Sequence, residues 1–369
     1  MRRALALSML LLAACGGGTT AATTTTAAPA RSALRSACGE RVVVQTDWFP
    51  EPEHGALYQL AGPGGKLDKE KGRYSNEIQG TGVTLEVRSG GPFLGSQPVA
   101  SLMYQDHDIL LGYVNTDNAI ANAPKTRTVA VVTPLERFPQ ILMWDPARYQ
   151  FTSIADIGKS DAKVLYFEAV TYIHYLVGKG LLRADQIDGS YDGSSARFVA
   201  GGVVQQGFVT NEPYKYEHDI KDWSKPVAFT LVADAGYEIY AQALSARPEV
   251  LTEKKECLAL LVPLLQKAQV DYIRAPQAVN DELLRVVKEL ATFWTLSPGG
   301  TDDAVKKMLE YRIVSNGPDQ TLGNFDMARV QQMIDQVTPV LKSRNIAVVD
   351  GLKASDIVTN DFIDPSIGL

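Results

Sequence analysis

Residues 45–58 read Gln-Thr-Asp-Trp-Phe-Pro-Glu-Pro-Glu-His-Gly-Ala-Leu-Tyr, which sets the carboxylate of Asp47 beside the flat indole of Trp48 with His54 close behind. An acid next to an aromatic face is a pairing that holds a ring bearing an amine. Three further groups carry comparable chemistry: Thr116 with Asp117; Tyr166, Phe167 and Glu168; and Asn211, Glu212 and Tyr214. Carboxylates such as Glu168 and Glu212 repel an anion, by about 1 kcal/mol in water and by several once desolvated. They accept hydrogen bonds from an amine or an amidine-like ring edge, while Trp48, Tyr166, Phe167 and Tyr214 offer stacking faces. Each residue also has a structural alternative. Trp48 can be core with Asp47 as a helix cap, Glu168 can complement a helix dipole, and Glu212 and Asp117 can be caps. Tyr214 can belong to a core, and His54 can pack behind the loop instead of touching a ligand.

These groups share a position, since each follows a run that reads as a strand. Val42, Val43 and Val44 form a buried β-branched run that breaks into a helix-like segment at residues 54–61. Residues 66–81 read as a polar loop insertion, 83–88 and 109–114 as strands, 97–105 as a helix and 128–133 as a fourth strand. Strand and helix therefore alternate over 41–133, the pattern of a parallel α/β sheet, whose ligand sites lie beyond the strand ends. A second set follows, with strands over 140–144, 163–167, 207–210, 227–231 and 237–240. A helix over 168–177 would then open on Glu168. Beyond residue 252 the chain is helical, over 254–274, 277–296, 302–313 and 326–343. In the last of these Val330, Met333, Ile334, Val337 and Leu341 keep three- and four-residue spacing, and Pro339 is expected to kink or shorten it.

The chain of 369 residues can bury a large core and divides into two compact units. A net charge of −6 and a pI near 5.4 argue against nucleic acid and against a basic membrane-binding surface. Arg2 and Arg3 precede an apolar run that ends Leu12-Ala13-Ala14-Cys15, which resembles a bacterial lipobox. This predicts a signal peptide over 1–14, lipid on Cys15 and a flexible tether over 15–38 that anchors the protein outside the cell membrane. Cys38 and Cys257 then lie in an oxidising compartment, where they are expected to pair, with separate buried thiols as the alternative. No metal site is expected, because nothing shows metal-ligand spacing and the four histidines are scattered. No cofactor is expected either.

Asp47-Trp48-Phe49-Pro50 with His54-Gly55 resembles the signature of the thiamine-pyrimidine-precursor branch of ABC-transporter substrate-binding proteins, which is related to the sulfonate and taurine binders. Residues 151–157 (Phe-Thr-Ser-Ile-Ala-Asp-Ile), 207–214 (Gly-Phe-Val-Thr-Asn-Glu-Pro-Tyr) and 356–362 are similar to further segments of that superfamily, in order along the chain. The resemblance implies a two-lobed periplasmic-binding-protein-like (type II) α/β clamp. Lobe one would comprise 39–135 and 237–369, lobe two 136–236, with a ligand between them. It implies ligand contacts from Asp47, Trp48, His54, Thr116, Asp117, Tyr166, Phe167, Glu168, Asn211, Glu212 and Tyr214. It also implies a monomer that hands cargo to a membrane permease and its ATPase. Glu51 stands where the family has Asn, which bears on the ligand and not on the lobes. The leading expectation is a nitrogen heterocycle of the aminopyrimidine kind. The alternatives are a sulfonate, taurine or nitrate binder, a lipoprotein that has lost its ligand, and a related pyrimidine-synthase enzyme, whose cysteine cluster this chain lacks.

Overall fold

A computed structural model describes residues 32–369. The signal segment, Cys15 and the first part of the tether lie outside the described residues. Strand β1 (Arg41–Gln45) is the middle of the first sheet. Its valines pair in parallel with β4 (Val83–Arg88) on one side and β5 (Ile109–Val114) on the other, Val42 opposite Leu85 and Val44 opposite Leu111. A strand flanked on both edges and both faces is apolar throughout, and Val42, Val43 and Val44 are all buried.

Strands β2 (Lys66–Asp68) and β3 (Arg73–Ile78) extend this sheet antiparallel beyond β4, and β12 (Ala243–Ala246) lies antiparallel between β5 and β6 (Val129–Val132). The order is β2-β3-β4-β1-β5-β12-β6. The second sheet runs β11-β7-β10-β8-β9, from β7 (Gln140–Trp144), β8 (Lys163–Leu165), β9 (Ile187–Asp188), β10 (Val203–Phe208) and β11 (Ala228–Leu231). The chain crosses between the sheets over 133–139 and again over 232–242. Four long helices, Lys255–Arg274, Gln277–Leu290, Pro298–Glu310 and Met327–Ser343, complete the C-terminal part. None among the described residues is long and apolar enough to cross a membrane.

Several expectations are corrected. The segment read as loop insertion over 66–81 is the hairpin β2–β3. Its outer strand carries Lys66 and Asp68, and a charged edge strand resembles a loop in sequence. The strand expected over 237–240 is absent. Tyr237, Ile239 and Tyr240 pack in the crossing, and the strand forms instead at the small residues 243–246. The helix expected from residue 168 begins at Tyr172, so Glu168 does not open it. The helix expected to reach 296 ends at Leu290, where Ala291 turns left-handed. Pro339 does not shorten its helix, which continues to Ser343 with Val337 and Leu341 both buried. At the end of the expected tether, Ala33–Cys38 is helical, because Leu34 and Cys38 have a core to enter.

Cys38 and Cys257 form a disulfide, with Cα atoms 4.7 Å apart and 219 residues between them in sequence. It ties the segment before β1 to the helix Lys255–Arg274. That same helix lies against Gly55–Ala61, the helix that follows β1. The approach is close enough that a Cβ on Gly55 would fall 2.1 Å from the Tyr272 ring. The contact holds the loop after β1 rigid. Replacing both cysteines by alanine is expected to lower stability by about 2–5 kcal/mol through the freed unfolded chain, read as a fall in denaturation midpoint. An unchanged midpoint would show the bond to be dispensable.

Candidate ligand cleft

The C-terminal ends of β1, β5 and β10 point into one cavity of about 360 Å3 between the two sheets. From the loop after β1 come Asp47, Trp48, Glu51 and Glu53, and from the end of β5 Asn115, Asp117 and Asn118. From the second sheet come Phe167, Tyr191, Thr210, Asn211, Glu212 and Tyr214. The second crossing adds Gln242, and the helical region adds Phe293, Trp294 and Ser297.

Aromatic rings form one face. Trp48 meets Phe167 with centroids 6.1 Å apart and Trp294 at 5.8 Å edge-on, while Phe49 stacks on Trp294. Trp294 is fixed by its indole N–H, which donates to the Pro50 carbonyl at 3.0 Å. The Lys215 ammonium lies 5.1 Å from the Trp294 ring centroid, so a cation already uses one of these faces.

The rest of the wall is acidic. Six carboxylates line the cavity, on Asp47, Glu51, Glu53, Asp117, Glu212 and Asp219, against the single ammonium of Lys215. Glu51 accepts from the Gln242 amide at 2.9 Å. Burial, together with repulsion from Glu53 and Asp47, holds its carboxyl well above the usual range. Burial also raises Glu53, against the hydrogen bond it accepts from the Thr210 hydroxyl. Asp117 is raised by burial although Tyr237 donates to it at 2.7 Å. Glu212 is raised by burial although it accepts the Phe208 N–H at 2.6 Å. Each of these acids ionises at a cost that a ligand cation would offset.

Of the residues expected in the site, Asp47, Trp48, Asp117, Phe167, Asn211, Glu212 and Tyr214 line this cavity. The other four do not. His54 is fully buried behind the loop, its Nε2 3.2 Å from Asp47. Thr116 accepts the Tyr240 N–H, which uses its hydroxyl within the crossing. Tyr166 is buried and donates to Glu168 at 3.0 Å. Glu168 borders a second, adjoining cavity, with its side chain mostly exposed and 3.9 Å from Arg344. Sequence reasoning noted Glu51 only as a replacement of the family's Asn and did not place it among the contacts, and it missed Glu53, which reads as a polar loop residue. It also missed Tyr191, Gln242 and Trp294, whose segments carry no strand-end signal.

The two halves touch around the cavity. Glu53 meets Thr210, Ser297 donates to Asp219 at 2.8 Å, and Tyr214 rests on the start of the helix Pro298–Glu310. The Ser297 hydroxyl caps that helix by accepting the Gly300 N–H, so its N-terminus is already engaged.

No family model and no curated protein matches the sequence. Solved structures do resemble it. The aliphatic sulphonate binding protein SsuA of Escherichia coli superposes with a TM-score of 0.55 at 12% identity, over 84% of this chain and 88% of that one. The alkanesulfonate-binding protein SsuA of Xanthomonas axonopodis pv. citri, bound to MOPS, gives 0.55 at 13% identity, over 87% and 98%. An ABC transporter structure from Parabacteroides distasonis gives 0.52 at 11% identity, over 86% and 98%. At such identities the likeness establishes the fold, a two-sheet periplasmic-binding-protein-like α/β architecture with C-terminal helices.

A Cβ on Gly299 would lie 1.9 Å from the Tyr214 hydroxyl. Gly299→Ala is therefore expected to fold normally but to push the Tyr214 ring off the start of this helix, read as loss of the nuclear Overhauser contacts between the ring and residues 299–300. Contacts of the ring with the helix that survive the substitution would contradict this packing.

Proposed function

We propose that the protein is the extracytoplasmic, lipid-anchored binding component of an ABC importer and captures a small nitrogen heterocycle, of the aminopyrimidine kind, between its two lobes. One observation carries this reading: six carboxylates and a set of aromatic faces line the cleft, with one ammonium among them. A flat ring packs on the aromatic face made by Trp48, Phe167 and Trp294, and its amine or protonated nitrogen meets Glu212 and Asp47. The likeness to binding proteins of ABC systems supports the transport role, with a permease and an ATPase as partners. Lipid on Cys15 supplies the anchor. No catalysis is assigned, since the wall is a receptor for charge and carries no activated nucleophile.

A second reading has support from the names of the similar structures, which bind sulfonates. The lining opposes it. A sulfonate in this cavity would face buried acids, and the helix N-terminus beside Tyr214 is already capped by the Ser297 hydroxyl, which in turn donates to Asp219.

A thermal-shift screen separates the two. Aminopyrimidines and related cationic rings are expected to raise the melting temperature, as a ligand at a hundred times its Kd adds about 2.7 kcal/mol. Taurine and alkanesulfonates are expected to leave it unchanged, and the reverse pattern would overturn the cargo class. Trp48→Ala should abolish the shift at little cost to the unliganded chain. Glu212→Gln should weaken binding about ten-fold or more, as a charge-assisted hydrogen bond is worth about 1.5–3 kcal/mol. Unaltered affinity in both variants by calorimetric titration would remove these residues from the site.

A further inference from the structure

Although the sequence shows no metal-ligand spacing, folding brings Asp47, Glu51 and His54 together, with one donor atom of each within 4.8 Å of the others. We propose that these three residues, with Gln242, form a divalent-cation site in the first-sheet wall of the cleft, for an ion that accepts mixed nitrogen and oxygen ligands, such as Zn2+ or Co2+.

The spacing fits the ion. Tetrahedral ligands held at about 2.0–2.1 Å from zinc stand about 3.3–3.4 Å from one another. His54 Nε2 lies 3.2 Å from Asp47 Oδ1 and 3.4 Å from Glu51 Oε1. The histidine ring is stacked 5.1 Å from Tyr113, which fixes the plane in which Nε2 faces the two acids.

Gln242 is the independent observation. It is 2% exposed and directs its amide into the cluster, with Nε2 3.2 Å from Asp47, 2.9 Å from Glu51 and 3.5 Å from His54 Nε2. Its carbonyl oxygen, also buried, has no hydrogen-bond partner among the described residues. A half-turn about the last side-chain torsion exchanges the two atoms and brings Oε1 to the acids and the imidazole. With a cation between them, that oxygen gains a partner and serves as the fourth donor.

The site goes beyond the cargo reading and does not rest on it. Asp47 keeps 30% of its side-chain surface exposed and lines the cavity, so an ion held by these four donors lies in the wall of the cleft. The ion takes Asp47 and Glu51, which leaves Glu53, Asp117, Glu212 and Asp219 on the lining against Lys215, so a cationic ring still meets an acidic wall at Glu212 with or without the ion.

The test uses the exported chain stripped with EDTA, with no organic ligand present. Co2+ is titrated by visible absorption and Zn2+ by calorimetry. One ion per chain is expected, with the absorption of a mixed nitrogen–oxygen site. Glu51→Gln and Asp47→Asn should each weaken uptake at least ten-fold, and Gln242→Met several-fold, with the metal-free melting temperature retained. Absence of saturable uptake by the wild-type chain would overturn the site, as would stoichiometric uptake that all three variants preserve. Should a variant unfold, the wild-type spectrum and the Gln242→Met titration decide alone. A failed metal titration leaves the organic-cargo reading standing, and a failed cargo screen leaves the metal site standing.

Discussion

A carboxylate removed from water needs an opposite charge or several hydrogen bonds, and this cleft holds more carboxylates than its own residues can neutralise. Glu212 takes a backbone N–H, Asp117 a tyrosine hydroxyl, Glu53 a threonine hydroxyl and Glu51 a glutamine amide. These partners make burial tolerable without supplying positive charge. Lys215, the one cation on the lining, lies against Trp294. Once ionised, these acids leave an unmet demand for a cation at the junction of the two sheets.

On the proposed account, that demand links capture to closure. Glu53 with Thr210, Asp219 with Ser297 and Tyr214 with Gly299 all join parts that the two sheets position separately. Bringing the halves together desolvates the acids, which is unfavourable while they lack a counterion. On the proposed account a cationic ring offsets this cost only in the closed arrangement, so its differential contacts shift the balance toward closure. The braced side of the cleft is the loop after β1, held from behind by His54 and by the Gly55–Tyr272 contact. The Cys38–Cys257 bond fixes the same block.

Much of this arrangement was legible in the chain. The run Val42, Val43, Val44 announces a buried central strand, and the break at Asp47-Trp48 marks its open end as the place for a ligand. Glu212 and Phe167 followed by the same logic. Reading failed where a residue's role depends on a distant segment. Glu51 and Glu53 look like turn residues until Gln242 meets Glu51 from the second crossing and Thr210 meets Glu53 from across the cleft. Trp294 sits in a connection that helical periodicity assigned to a longer helix. β12 is built from small residues whose strand character comes from β5 and β6 on either side, and no local propensity records that. Glu168 erred in the other direction: its placement presumed a helix start that lies four residues further on, at Tyr172.

The sign of pH dependence bears most directly on the acidic cleft. Burial raises the carboxyls of Glu212 and Asp117 above the usual range, so in the free protein they ionise only as pH climbs through that raised interval. A cation binds the ionised form, and its binding expels the protons that remain. Calorimetric affinity for a permanently charged nitrogen ring should therefore rise with pH from the ordinary carboxylate range upward and then level off. Affinity that instead falls as pH rises over the same interval would mean that the cleft prefers its acids neutral, and would contradict the account.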